Sequence, residues 1–552
     1  MRFGSVDLFL SSNPEDLRIG RRVANHEFLK ALLTYGTFEA YHFFLPSLAH
    51  LEAFRRQLSA ILPEVSLRNR VHPTILPALK EVIADHRFTV FHHGDFTRHL
   101  PYLAALRDRR AKNRFPLTGL THSLNTYLMA QRYLQLALAN LAPFDAIVCT
   151  SKAGFRVVRK GYEQMRSRLE GLLGVDCPLN ARLEQIPLGI ESACFEPPGR
   201  AEARAHLNLP AQDFLVLIVG RISSHSKMDL LPLLYAMAHE WRRDRLSRMK
   251  FVVAGGAEAA SLAELKRRLA EMEISEHIIF KPNFQPKDKV PLYASANAFL
   301  SLSDNTQETF GLSVVEAMAA GTLPIVSDFN GYKDLVEHRK TGFRIPTLWS
   351  PPAKALDGLD SFLGGGWSFY QAQATAVDLE ALIDCFHFIT RNPGKSHELA
   401  EAARKAAAQY HWSAIIPRYE ALWRELATLS EREVSPPPRT LHPLEADLSA
   451  IFSHYPTGAL NPDTPLIPTE ALKHSYLYRS TLPEPLPDMA PLLHRPLLDG
   501  ILNVIQQRPH TLGDISEVMP DYGEDIIAYH AAWLIKYGLV RPALWPGLDE
   551  ET

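Results

Sequence analysis

The chain has 552 residues, enough for two to four domains of about 100–200 residues each. Its 59 Lys and Arg against 61 Asp and Glu leave a net charge of −2, so no global charge draws it to nucleic acid or an acidic polymer. A hydrophobic share of 46% excludes wholesale disorder, and no apolar run reaches the roughly 18 residues of a membrane-spanning helix. Four scattered cysteines (Cys149, Cys177, Cys194, Cys385) exclude a disulfide scaffold or a structural zinc site by spacing and fit a reducing cytoplasm. The N-terminal segment, a short apolar stretch followed by acids, reads as a first strand and not as a secretory signal.

From 1 to about 430, strand-length apolar runs alternate with helix-length amphipathic ones. The first series of runs lies at 6–10, 41–45, 89–91, 145–150 and 183–188, with helices expected at 23–33 and 153–173 between them. A second series lies at 214–220, 251–255, 278–280, 298–302 and 323–327. Runs that are apolar throughout suit strands buried on both faces of a parallel sheet. Alternation with helices predicts βαβ units, so two doubly wound domains with a cleft between them are expected. In 435–496 the composition changes: 13 of those 62 residues are proline, against 40 in the whole chain. The run Ser435-Pro436-Pro437-Pro438 marks a connector. After it, 497–507, 512–519 and 523–537 read as three short helices.

The most informative stretch is 304–328, DNTQETFGLSVVEAMAAGTLPIVSD. It follows an expected strand and opens a helix at Phe310-Gly311-Leu312. Glu308 falls in the loop and Glu316 in the helix eight positions later, so both can face a crevice at the carboxyl ends of parallel strands. Backbone N–H groups at 310–313 would suit an anionic or hydroxyl-rich ligand. Gly311 would allow close backbone approach, and Gly321 fits a helix stop. Taken alone, two acids at this spacing read as a solvated helix face. The strand at 214–220, however, runs into Arg221 and a polar loop leading to Lys227, with a helix expected at 228–241. Two cations at a strand's carboxyl end can neutralise a diphosphate.

With these motifs together, the chain resembles a family 4 retaining glycosyltransferase of the GT-B fold. The family's Glu-x7-Glu motif matches Glu308 and Glu316, and its Gly-Arg-x5-Lys motif matches Gly220, Arg221 and Lys227. LTHSLN around His122, DAIVCTSKAG at 145–154 and IPLGIE at 186–191 are weaker matches in the first half. Tyr410-His411-Trp412 and the helix after it resemble the family's closing helix.

The resemblance implies an α/β architecture of two Rossmann-like domains facing across a cleft. Residues 1–195 would form the acceptor-side domain and 196–405 the nucleotide-sugar domain. Residues 406–430 would pack back on the first domain. A proline-rich connector (431–496) and a small helical, winged-helix-like module (497–552) follow, outside the resemblance. It further implies that Arg221 and Lys227 stabilise a departing diphosphate and that Glu316 accepts from ribose hydroxyls. Glu308 and the backbone of Thr309, Phe310, Gly311 and Leu312 would hold the transferred sugar, with His122 near the reacting carbon. The family's paired glycines before the first helix are reduced here to Gly20. No cofactor or metal is implied, the nucleotide-diphosphate sugar (UDP- or GDP-linked) being the substrate. The acceptor stays open among a glycan, a lipid, a small molecule and a protein. A GT-B epimerase or phosphorylase, or a non-catalytic scaffold working through its C-terminal module, are the alternatives.

Outside this set, His92-His93 ends an expected strand and could line the cleft, while a metal pair is disfavoured because adjacent strand side chains diverge. The basic run Arg107, Arg109, Arg110, Lys112 and Arg114 reads as a solvated face, with peripheral contact at an inner membrane surface as the alternative. The C-terminal 494–552 carries four cations against nine carboxylates, the wrong sign for phosphate contact. A protein-recognition or packing role is expected there, and no nucleic acid. The triple glycine at 364–366 lies in a connection, 346–374, that is longer than the family pattern leads one to expect.

Overall fold

The computed structural model describes residues 1–10, 20–126, 128–222, 228–350, 358–364, 367–433, 446–469, 485–489 and 492–543. The chain divides into two compact units, one of 1–43, 53–73 and 83–440, the other of 44–52, 74–82 and 441–552.

The first lobe is built on a seven-stranded sheet of β1 (Arg2–Ser5), β2 (Ala40–Leu45), β3 (Val71–Ile75), β4 (Val90–His93), β5 (Leu117–Leu120), β6 (Ala146–Cys149) and β7 (Arg182–Gln185). Their order is β3-β2-β1-β4-β5-β6-β7, with β1 paired in parallel to β2 and β4 and each of β4 to β7 parallel to the next. The second lobe holds β8 (Phe214–Val219), β9 (Met249–Gly255), β10 (Ile278–Pro282), β11 (Ala298–Ser301), β12 (Leu323–Ser327) and β13 (Phe343–Ile345). They are ordered β10-β9-β8-β11-β12-β13, also in parallel. The run FLVLIV of β8 is apolar throughout because helices cover both faces of its sheet. Val216 and Ile218 pack with Phe251, Leu300, Ile325 and Phe386 in one buried cluster.

The helix Trp412–Arg432 ties the chain's return to the first lobe. Trp412, Ile415, Ile416, Tyr419, Trp423 and Leu426 form its buried stripe, spaced as one helical face requires. Trp423 Nε1 donates to Thr118 Oγ1 (3.1 Å), and the Glu420 carboxylate accepts from Thr37 N (2.5 Å) and Thr37 Oγ1 (2.8 Å). Gly189 makes room for the Trp412 indole, since a Cβ there would lie 2.4 Å from the ring.

Some sequence expectations shift. The first strand is Arg2–Ser5 and not 6–10, because Asp7 N donates to Ser5 Oγ (3.1 Å) and turns the chain. The helix expected at 228–241 starts at Leu231, where Asp229 Oδ1 accepts from Leu231 N (2.9 Å) and a proline occupies the first turn. The basic run is not one solvated face. Arg109, Arg110 and Lys112 are exposed, but Arg107 is fully buried. Its guanidinium grips Asp145 through two bonds of 2.6 and 3.0 Å, donates to Phe115 O (2.8 Å) and lies over the Phe144 ring. His92 and His93 are buried as well, His92 bonded to Thr118 Oγ1 (2.8 Å) beside Trp423, so they belong to the packing of the lobe.

In the second unit, β16 (Pro465–Pro468) is the middle strand of a three-stranded antiparallel sheet. It lies between β17 (His510–Thr511) and β18 (Val540–Pro542). Helices Arg495–Gln507, Leu512–Val518 and Glu524–Lys536 pack on it around Leu466, Leu498, Ile501, Ile515 and Leu534. The middle strand thus comes from the segment read as connector. Thr511 and Asp514 close a capping box on the second helix. Ser435 and the triple proline lie outside the described residues.

Candidate active site

The loop 304–311 leaves β11 and enters the helix Leu312–Ala319. Gly311 caps that helix at φ +113°, where a Cβ would come within 2.5 Å of the Tyr332 ring, so only glycine fits. Gly321 follows the helix at φ +73°, as expected of a stop. Within the loop, Asn305 Oδ1 accepts from Gln307 N (2.8 Å), and Glu308 Oε1 accepts from Phe310 N (3.2 Å). One of the backbone donors expected to face a ligand is therefore held by Glu308 itself.

Gly220 and Arg221 leave β8 beside this loop. A Cβ on Gly255, which sits at φ +144°, would lie 1.8 Å from Gly220 O, so the ends of β8 and β9 approach to backbone contact. Arg221 is exposed, and its Nη2 donates to Gln307 Oε1 (3.2 Å), placing a cation next to the Glu308 loop. Lys227, its expected partner, lies outside the described residues.

Glu316 is buried and already engaged. Its Oε1 pairs with Lys289 Nζ (2.6 Å), and its Oε2 accepts from Tyr293 OH (2.7 Å). Burial disfavours the Lys289 charge, yet Glu316 more than offsets this and holds the ammonium above its ordinary range. Burial, and then Glu316, also keep the Tyr293 phenol protonated. Asp304, at the start of the loop, is pushed up to about 6 by burial, against the pull of the Asp229 N–H on its Oδ2 (3.1 Å).

The first lobe brings three groups to the same cleft. His122 follows β5, and its Nε2 is 2.9 Å from Asn25 Oδ1 on the helix Gly20–Tyr35, whose first residue is Gly20. Gly94, after β4, stands where a Cβ would strike the Asn25 amide at 2.5 Å. Two residues along that helix, Glu27 is pushed up to about 8 by burial and by the neighbouring Glu191, which itself pairs with Lys30 (3.0 Å). The lobes meet directly: Ser151 Oγ donates to Thr309 O (2.5 Å), Lys152 N to Asp334 Oδ2 (2.6 Å) and Asn125 Nδ2 to Asn305 Oδ1 (3.4 Å). Glu308, Phe310, Gly311, Leu312, Gly220 and Arg221 thus gather on the second lobe, with His122 across from them. A separate cavity of about 460 Å³ at the end of β10, lined by His206, Phe280, Phe284 and Asp288 among others, holds none of these residues.

Lys289, Tyr293, Asn25 and Asn125 were not singled out from sequence. Lys289 alone carried a signal. It opens the helix Lys289–Ser295, where the dipole disfavours a cation unless an acid waits for it.

Two parallel Rossmann-like sheets closed by a returning helix define a GT-B protein. The fold is shared with sucrose-phosphate synthase from Thermosynechococcus elongatus (TM-score 0.50, 20% identity, covering 78% of this chain and 99% of that one). It is shared also with Anabaena HepE, solved in complex with UDP (TM-score 0.52, 17% identity, covering 78% and 99%). Residues 199–363 match the family described as glycosyl transferases group 1. Among curated proteins it is similar to the D-inositol 3-phosphate glycosyltransferases of Nocardia farcinica (32% identity over 212 residues, 38% of this chain and 45% of that one) and Acidothermus cellulolyticus (24% over 257 residues, 46% and 50%). The chain thus spans about half the length of the curated relatives it matches. Among the described residues no helix is long and apolar enough to cross a membrane.

Proposed function

We propose that the chain is a retaining glycosyltransferase that moves a sugar from a nucleotide-diphosphate donor to an acceptor hydroxyl without a metal ion. The observation that carries this reading is the meeting of the 304–311 loop with Arg221 from its own lobe and with Ser151 and Asn125 from the other. In the reaction the bond from the sugar's anomeric carbon to the β-phosphate oxygen breaks, and its electron pair leaves with the diphosphate. The acceptor oxygen forms the new bond on the same face, and its proton passes to the departing phosphate. Negative charge grows on that phosphate in the transition state, where the Arg221 guanidinium, with Lys227, stabilises it. Glu308 holds a sugar hydroxyl, and His122, oriented by Asn25, faces the reacting carbon. Each Glu316 oxygen keeps lone-pair capacity beyond its bond to Lys289 or Tyr293, so the carboxylate can accept from a ribose diol while those two groups hold it in place.

The test is hydrolysis and transfer by the full chain with a panel of UDP- and GDP-sugars, wild type against Arg221→Ala. Donor-dependent turnover that collapses in the variant supports the assignment. Equal turnover in both removes Arg221 from the mechanism.

A further inference from the structure

The long connection after β13 begins and ends on described elements. Its neck is a pair of antiparallel strands, β14 (Thr347–Trp349) and β15 (Thr375–Val377), with Thr347 opposite Val377 and Leu348 opposite Ala376. Two backbone bonds close it further, Ser350 N to Ala374 O (3.0 Å) and Asp378 N to Pro346 O (2.9 Å). Beyond the neck stands the helix Trp367–Gln373, whose end is fixed to the neck by Thr375 Oγ1 donating to Gln371 O (3.2 Å) and by the buried Ala372.

This helix reaches both sides of the cleft. Asn125 Nδ2 donates to Ser368 Oγ (2.6 Å), and Thr306 Oγ1 donates to Gln371 Oε1 (2.8 Å). Asn125 lies three residues after His122 in the loop that follows β5. Thr306 lies two residues before Glu308 in the loop that follows β11. One short helix, three residues apart on one face, therefore holds the two loops that carry the facing groups of the site. The donor-side groups Arg221, Gln307 and Glu316 bond to partners within the second lobe.

We propose that the helix Trp367–Gln373 is a brace that sets the spacing of the His122 and Glu308 loops, and that Ser368 and Gln371 are positioning residues for the acceptor. This deepens the transferase reading and rests on it. The brace acts where the acceptor hydroxyl must be aligned between the lobes, and the nucleotide-side groups Arg221 and Glu316 do not depend on it. A hydroxyl misplaced by a fraction of an ångström loses transfer far faster than it loses donor cleavage by water, because water needs no fixed alignment.

The experiment uses the full chain with Ser368→Ala and Gln371→Ala combined. A second variant replaces 349–375 by Asn-Gly, which the Leu348–Ala376 register allows as a two-residue hairpin turn. Amide hydrogen exchange without any substrate is read first. Both variants are expected to exchange faster in both 121–126 and 304–309, while the β8 and β12 strands stay protected. Unchanged exchange in either loop overturns the brace, whatever the enzyme does. With donor and acceptor present, transfer is expected to fall roughly tenfold or more, the loss of two hydrogen bonds, chiefly through a lower kcat for transfer, while donor hydrolysis persists. An equal fall in hydrolysis and transfer overturns the positioning role. A wild type with no activity toward any donor defeats the transferase reading, and the exchange result still decides the brace.

Discussion

Two arginines show how differently the lobes use charge. Arg107 in the first lobe is fully buried, gripped by Asp145 and capped by the Phe144 ring, and nothing of it reaches solvent. Arg221 in the second lobe is exposed at a strand's carboxyl end and donates to Gln307 (3.2 Å). A buried, fully bonded cation is part of the fold. An exposed one beside a glycine-tight strand end is available to a ligand. The same contrast separates the buried histidines of β4 from His122, which sits in a loop with Asn25 as a bonded neighbour.

That contrast can be broken first on the structural side. Asp145 accepts from Arg107 and from the backbone N–H groups of Leu117 (2.8 Å) and Ala142 (2.7 Å). Asp145→Ala would leave the buried guanidinium without its bidentate partner, with Asp108 (3.2 Å) as the carboxylate left beside it, at a cost of up to about 3–5 kcal/mol. A large drop in the thermal midpoint is expected, and a variant as stable as wild type would mean the pair is not structural. On the chemical side, Arg221→Ala is expected to cut turnover by about 10²–10³ through lost charge stabilisation in the transition state. Its stability should change by no more than about 0.5 kcal/mol, as for other exposed positions. Unfolding of this variant with the surviving fraction fully active would reverse the assignment.

A smaller effect sharpens the view of the junction between the lobes. Burial and Glu191 raise the Glu27 carboxyl to about 8, so the folded chain holds a proton there that the unfolded chain releases near its ordinary range. Stability should therefore rise as pH falls from about 8 toward the ordinary carboxyl range. Glu191, Lys30 and Lys289 face the same group, and Glu191 is shifted downward, so its own contribution is lost only below that range. Glu27→Gln is expected to flatten the slope between about pH 5 and 8 in thermal unfolding. A slope unchanged by the substitution would place the titration elsewhere.

The smallest expected effect concerns the C-terminal unit. Ending the chain near Ser435 should leave donor hydrolysis unchanged, because Arg221 and Glu316 are held by Gln307, Lys289 and Tyr293 within the second lobe. If the module recognises a protein acceptor or partner, the same truncation should abolish modification of that target. Loss of hydrolysis on truncation would make the module part of the catalytic body.

The second lobe was the more legible in sequence because its elements have few solutions. FLVLIV can only be a strand buried on both faces, and Gly311 stands where φ is positive and an aromatic ring fills the Cβ position. In the first lobe, β3 reads VHPTI and β5 reads LTGL. Polar residues, proline and glycine interrupt both apolar runs, and tertiary pairing overrides the weak local preference. The site divides in the same way. Arg221, Glu308 and Glu316 stood out through the motifs that resemble a known family, whereas Asn25, Asn125 and Ser368 are short polar side chains whose role exists only once the loops meet. The burial of Arg107 was hidden for a related reason: its partner Asp145 is 38 positions away.

The most direct measurement is the configuration at the anomeric carbon. Full-length chain would be incubated with α-configured UDP- and GDP-sugars, and the new glycosidic bond or first-released sugar read by proton NMR before mutarotation. Same-face displacement, with the acceptor's proton passing to the departing diphosphate, requires an α-configured product. A β-configured product would show that the reaction runs by inversion and that the roles given to Arg221, Glu308 and His122 around a retained face are wrong.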